Sequence, residues 1–270
     1  MKKLSIKQIS VITGALILIS FILRIISLFN FHEYSGYYQN KAILPIISNV
    51  VFTVSIIFAL IATILVVKKD QKISLPSNIA SYCALIPMAA AVFHVINIFT
   101  SPYNDTAVNK YLMIAACIIT AAYFLTIFLG KANKTFTVYL GIGAAIYVFL
   151  NWIFVYFNFA SPINSIDRIF FYFACAGAIL FIFNEICACF NFVKPKFYFF
   201  STFCAILTIS VSSLSALIAY GEISAYSWLE ADIFLVALMI YATARLVTML
   251  ITKEKNASPE ITTEGEEKCE

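Results

Sequence analysis

Glu185 and Arg245 are charged residues set inside long apolar runs, each roughly 8–10 Å from one end of its run at 1.5 Å of rise per residue. Hydrocarbon disfavours a lone carboxylate, so Glu185 requires either a proton or a cationic partner. A guanidinium at the same depth supplies the partner, and the two are expected to form an intramembrane ion pair that locks two helices. A proton-coupling role for Glu185 is the alternative. Tyr241, Arg245 and Thr248 fall on one helical face, which turns Arg245 toward the interior.

A second set lies near the other end of the apolar runs: Arg24, His94, Asn97, Asn151, Ser212 and Ser215. Their depths are roughly 5–12 Å, so they are expected in one layer. Each belongs to a stripe at helical spacing: Ser20, Arg24 and Ser27; Ala90, His94, Asn97 and Ser101; Tyr147, Asn151 and Asn158; Thr208, Ser212, Ser215 and Ala219. A polar stripe facing lipid is costly, so these faces should turn inward. Together they suggest a substrate-binding pocket that opens outward. Arg24 would recognise a carboxylate or phosphate, a lipid headgroup included, and His94 would relay a proton or sense pH. The bland alternatives are that Arg24 snorkels to the headgroups or pairs with Asp232 or Glu230, and that the amides and hydroxyls only pack helices.

Little else in the chain could do chemistry. There are two histidines, and His32-Glu33 is not followed by the second histidine of a zinc-protease motif. No G-x-S-x-G elbow or Gly-rich phosphate loop is present. Six of the seven cysteines lie in apolar runs and none forms a C-x-x-C pair, so neither a disulfide framework nor a metal site is expected. No cofactor is expected, and no enzymatic activity. An intramembrane lipid-modifying enzyme using His94 and Arg24 is the weakest reading.

The elements that must position these residues follow from composition. The 270 residues are 62% hydrophobic and only 12% charged, about half the charged fraction of an ordinary soluble domain. Eight runs approach the ~20 apolar residues that span a bilayer core: Ile9–Phe29, Ile43–Val67, Ile79–Thr100, Tyr111–Gly130, Phe136–Asn158, Ile169–Phe190, Phe197–Tyr220 and Leu229–Ile251. Backbone groups in lipid must be satisfied internally, and the runs lack the alternation of a barrel, so helices are expected. The fold class predicted is all-α: a polytopic integral membrane bundle of eight transmembrane helices over residues 1–252. Residues 253–270 form a polar, acidic tail expected to be disordered and cytoplasmic.

Lysines set the orientation. Lys2, Lys3, Lys7, Lys68, Lys69, Lys72, Lys131, Lys134, Lys194, Lys196, Lys253 and Lys255 share one side if the chain crosses eight times. Lys41, Lys110 and Arg168 share the other. The positive-inside rule then places both termini in the cytoplasm of a cell-membrane protein. The first run is too long for a cleaved signal peptide and reads as an anchor. Phe99–Asn104 resembles Phe159–Asn164 sixty positions on, which suggests four helix hairpins, though Ser, Pro and Asn are ordinary turn residues. Asn104, Asn133 and Asn256 begin Asn-x-Ser/Thr triplets; only Asn104 is expected on the outer side. Tyr34, Tyr37, Tyr38, Tyr103, Tyr220, Tyr226 and Trp228 are expected in an aromatic belt.

The lipid bilayer is the one partner implied outright, and nucleic acid is excluded by the placement of the basic residues. The functional expectation is a non-enzymatic protein that binds or transports a small molecule or lipid, as a transporter, permease subunit or sensor. The alternative is a structural or assembly protein that works through partner proteins.

Overall fold

The structure is a computed structural model that describes residues 5–31, 43–67, 73, 75–76, 78–100, 107–132, 135–157, 165–190, 192–219 and 228–255. The tail beyond 255, the Asn-x-Ser/Thr sites, the Ser-Pro turns, His32-Glu33 and the belt tyrosines Tyr34, Tyr37, Tyr38, Tyr103, Tyr220 and Tyr226 lie outside the described residues.

Every regular element among the described residues is helical, and eight helices are long and apolar enough to cross a membrane. They are α1 (Ile6–Phe31), α2 (Ile43–Val66), α3 (Ile79–Thr100), α4 (Ala107–Phe128), α5 (Thr135–Phe157), α6 (Ile166–Cys189), α7 (Pro195–Ile218) and α8 (Leu229–Lys255). The chain is therefore an all-α polytopic bundle, as its apolar runs imply.

Local chemistry explains the irregular points. The regular helix of α3 is interrupted by a turn at Ala84. Pro87 has no N–H for the Cys83 carbonyl, and its ring crowds that carbonyl. α4 stops at Gly130, whose φ of 68° is left-handed. There Gly130 N–H bonds Ile127 O and Lys131 N–H bonds Thr126 O, at 3.1 and 2.8 Å. This is the paired bonding of a Schellman cap, and glycine takes that φ without steric penalty. α7 opens with Pro195 in its first turn, where a missing N–H is harmless. Midway it widens into a π-turn at Ser210–Leu214.

Helix α7 is the centre of the bundle. It packs against α1, α2, α6 and α8, and 72% of its best apolar window is buried, against 22% for α1. The buried side chains of α7 include Ser201, Thr202, Thr208, Ser210, Ser212, Ser213 and Ser215. The polar helix is inside, and the aliphatic α1 and α2 present Leu18, Ile43, Ile46 and Leu65 outward, as lipid solvation requires. The contacts α3–α4, α4–α5, α5–α6, α6–α7, α7–α8 and α8–α3 close a ring. Aromatic side chains fill it edge to face: Tyr147 on Phe234 at 4.7 Å, Phe124 on Tyr241 at 5.7 Å and Phe181 on Tyr241 at 6.0 Å between centroids. The α1–α2 hairpin is added outside the ring, on α7.

Small residues let α6 approach α7. A Cβ on Gly177 would stand 2.5 Å from Thr208 Oγ1 and 3.2 Å from Ala205 Cα. Gly177→Ala gains helix propensity worth about 1 kcal/mol, but overpacking at such a contact costs about 1–3 kcal/mol. The variant is expected to unfold at lower temperature in detergent micelles. An unchanged or higher Tm would show that α6 and α7 can part without penalty.

Candidate functional site

A polar cluster around Glu185 joins three helices. Glu185 of α6 accepts hydrogen bonds from Arg245 Nε and from the Tyr241 hydroxyl of α8, both at 2.7 Å, and from the Tyr198 hydroxyl of α7. The Arg245 and Glu185 side chains are 0% and 1% exposed. The Arg245 guanidinium also lies 5.9 Å from the Tyr198 ring centre, within cation–π range. The structure thus brings Glu185 and Arg245 together and adds two phenols. Tyr241 shares a face with Arg245 in the sequence; Tyr198 shares one with Ser201 and Thr202, a signal masked by the aromatic run Phe197–Phe200 around it.

Among the described residues, the second set of polar residues engages several different partners. Arg24 of α1 donates to Asp167 Oδ1 at 2.5 Å and stands 4.4 Å from the centre of the Phe170 ring. It neither snorkels, being 2% exposed, nor pairs with Asp232 or Glu230. Asp167 lies in the first turn of α6, where the helix macrodipole favours a carboxylate. Sequence reasoning placed Asp167 and Arg168 in a loop, but α6 begins at Ile166 and buries Arg168 completely.

His94 Nδ1 of α3 meets the Tyr147 hydroxyl of α5 at 2.7 Å. Asn97 of α3 donates through Nδ2 to Glu230 of α8. Asn151 and Ser215 turn back on their own helices. Asn151 Nδ2 donates to Tyr147 O at 2.9 Å, and Ser215 Oγ donates to Val211 O and Ser212 O at 2.5 and 2.8 Å. The last two bonds have a local cause. A π-turn disturbs the i→i−4 ladder, and a serine hydroxyl re-satisfies the loosened carbonyls. Ser212 is buried within the same turn.

A cleft of roughly 370 Å³ lies between α2 and α6, lined by Asn49, Phe52, Ile56, Ile166, Phe170 and Phe173 among others. Leu207 and Val211 of α7 pack beneath Phe52 and Phe170. Phe170 also carries Arg24 on its ring, so it touches both the cleft and the Arg24–Asp167 pair. The wall is apolar apart from Asn49 and Thr53, and Asn49 Oδ1 has no hydrogen-bond partner.

No group of His, Cys, Asp and Glu among the described residues could hold a metal ion. Cys117, Cys175, Cys189 and Cys204 are free, buried thiols. The fold and its paired buried charges define a multi-pass membrane protein with a polar interior. No family model, curated protein or solved structure matches the chain.

Proposed function

We propose that this is a non-enzymatic, multi-pass protein of the cell membrane, with both termini cytoplasmic, that binds and moves a small molecule or lipid. The observation that carries this reading is the character of α7. It is the most buried span, it is rich in Ser and Thr, and it holds a π-turn between two layers of buried charge. Small hydroxyl residues at a buried helix also serve close packing, so the weight falls on the π-turn and the buried charges: ionisable groups in hydrocarbon are functional by default, and π-turns concentrate at functional sites. The lateral cleft between α2 and α6 gives an amphiphile a route from the bilayer to the shielded Arg24–Asp167 pair. The lysine asymmetry supports the orientation.

The second reading, an assembly protein acting through partners, is favoured by the Glu185 carboxylate, whose two oxygens both already accept hydrogen bonds from neighbouring helices. Cys175 separates the two readings, because it is wholly buried on α6. In a variant that keeps Cys175 as its only cysteine, a membrane-impermeant cationic thiosulfonate is expected to label the native protein in membranes. A carrier interior must open to water. Labelling only after denaturation would favour the assembly reading.

A further inference from the structure

Asp232 stands in the first turn of α8, 2% exposed, and its Oδ1 accepts no hydrogen bond. Among the described residues it has no ion pair: Arg24 donates to Asp167, Arg245 to Glu185, and the buried Arg168 of α6 lies 6.0 Å from the Trp228 ring. The groups that act on it most strongly are neutral or negative. Ser213 approaches from the π-turn of α7, Asp167 and Cys175 from α6, and Glu230 from its own helix. From α3, His94 comes close enough to Glu230 to feel its charge. The hydroxyl of Ser213 is 0% exposed and also makes no hydrogen bond of ordinary geometry. The Ser213 hydroxyl and the backbone of Trp228 lie within hydrogen-bonding reach of the carboxyl, yet Oδ1 accepts no bond of ordinary geometry and no cation among the described residues offsets the charge.

A carboxylate charge cannot stand alone in such a place, because burial removes the water that would solvate it. The N-terminal dipole of α8 offsets only part of that cost. Either a proton or a cation must neutralise the group. A divalent metal is unsuited, since the described residues gather no set of three ligating side chains. A small monovalent cation fits, because irregular helix beside a buried carboxylate is how membrane proteins bind coupling ions.

We propose that Asp232 and Ser213 form a monovalent-cation site, filled by a proton or a sodium ion, that couples cation binding to the transport cycle. The coupling rests on the carrier reading above; the site does not. With the cation bound, α8 is drawn to the π-turn of α7. Without it, the uncompensated charge of Asp232 repels Asp167 and Glu230, and these ends of α6 and α8 separate.

The test is thermal unfolding of the full-length protein in lipid nanodiscs, with sodium chloride exchanged for choline chloride at constant ionic strength, at alkaline and at mildly acidic pH. A bound ligand raises Tm by mass action. If sodium is the ligand, it raises the Tm of the wild type by several degrees and saturably, and has no effect on Asp232→Asn. If a proton is the ligand, sodium has no effect, and acidification raises the Tm of the wild type relative to Asp232→Asn. Ser213→Ala keeps the carboxyl and is expected to weaken either response several-fold, so the site stays testable should Asp232→Asn fail to fold. A wild type indifferent to sodium, with the pH dependence of Asp232→Asn, overturns the site. Cation-dependent stabilisation in a protein whose Cys175 never opens would keep the site and overturn the carrier reading. Opening without cation dependence would do the reverse.

Discussion

Glu185→Ala is expected to lower the free energy of unfolding by about 3–5 kcal/mol, the usual consequence of stranding one partner of a buried ion pair. Arg245 would keep its charge with 0% of its side chain exposed. The hydroxyls of Tyr198 and Tyr241 would lose their acceptor together, and each stranded donor carries a desolvation penalty of about 1–3 kcal/mol. These terms share one site, so they do not add. The informative control is the double variant Glu185→Leu with Arg245→Met, which removes both charges and keeps the volume. Removing both charges takes away the penalty of the stranded guanidinium, so the double variant should recover that part of the loss, while the buried Tyr198 and Tyr241 hydroxyls stay without their acceptor. Equilibrium unfolding in mixed micelles reads both. If the double variant is as unstable as the single one, the loss lies in the stranded phenols and the changed shape, and charge contributes little.

That cluster marks how far the sequence can be read. One carboxylate and one guanidinium at the same depth are identifiable as partners from chemistry alone, because hydrocarbon offers so few others. The eight spans are legible for the same reason: twenty apolar residues in a row leave the backbone only one way to satisfy itself. Arg24 shows where this logic stops. Depth narrows its partner to the acids of one layer, Asp167, Glu230 and Asp232, but the choice depends on how the helices are rotated and which are neighbours. Asp167 was further hidden by its position, because the apolar run of α6 starts at Ile169 whereas the helix starts at Ile166. The α1–α2 hairpin sits on α7, far along the chain, and no local pattern encodes that. The π-turn is equally silent: its sequence, Ser210-Val211-Ser212-Ser213-Leu214, has ordinary helical spacing. The consequence was a polar face read as a pocket wall, whereas Ser215 serves the turn's own carbonyls.

The Arg24–Asp167 pair should behave differently from the Glu185 cluster, and the difference bears on function. Its geometry is tight, at 2.5 Å, but the Asp167 side chain is 11% exposed. Water and headgroups can therefore repair part of the damage when Asp167 is left alone, whereas Arg24, 2% exposed and stacked on Phe170, is far less accessible to them. Asp167→Ala is accordingly expected to destabilise more than Arg24→Ala, at about 3 kcal/mol or more against about 2 kcal/mol. Their double variant should lose less than the sum, with a coupling of roughly 1–3 kcal/mol. The order of the two single losses is the sensitive measure. If Arg24 exists to hold α1 against α6, only stability changes, and all variants retain the same lipid complement in native mass spectrometry. If Arg24 exists to receive an anionic amphiphile from the cleft, Asp167→Asn removes the carboxylate that competes for its guanidinium. That variant should then retain more anionic lipid than the wild type, and Arg24→Ala should retain less. Phe170→Ala removes the ring that touches both the cleft and the pair, so it should increase lipid retention only where Arg24 is present.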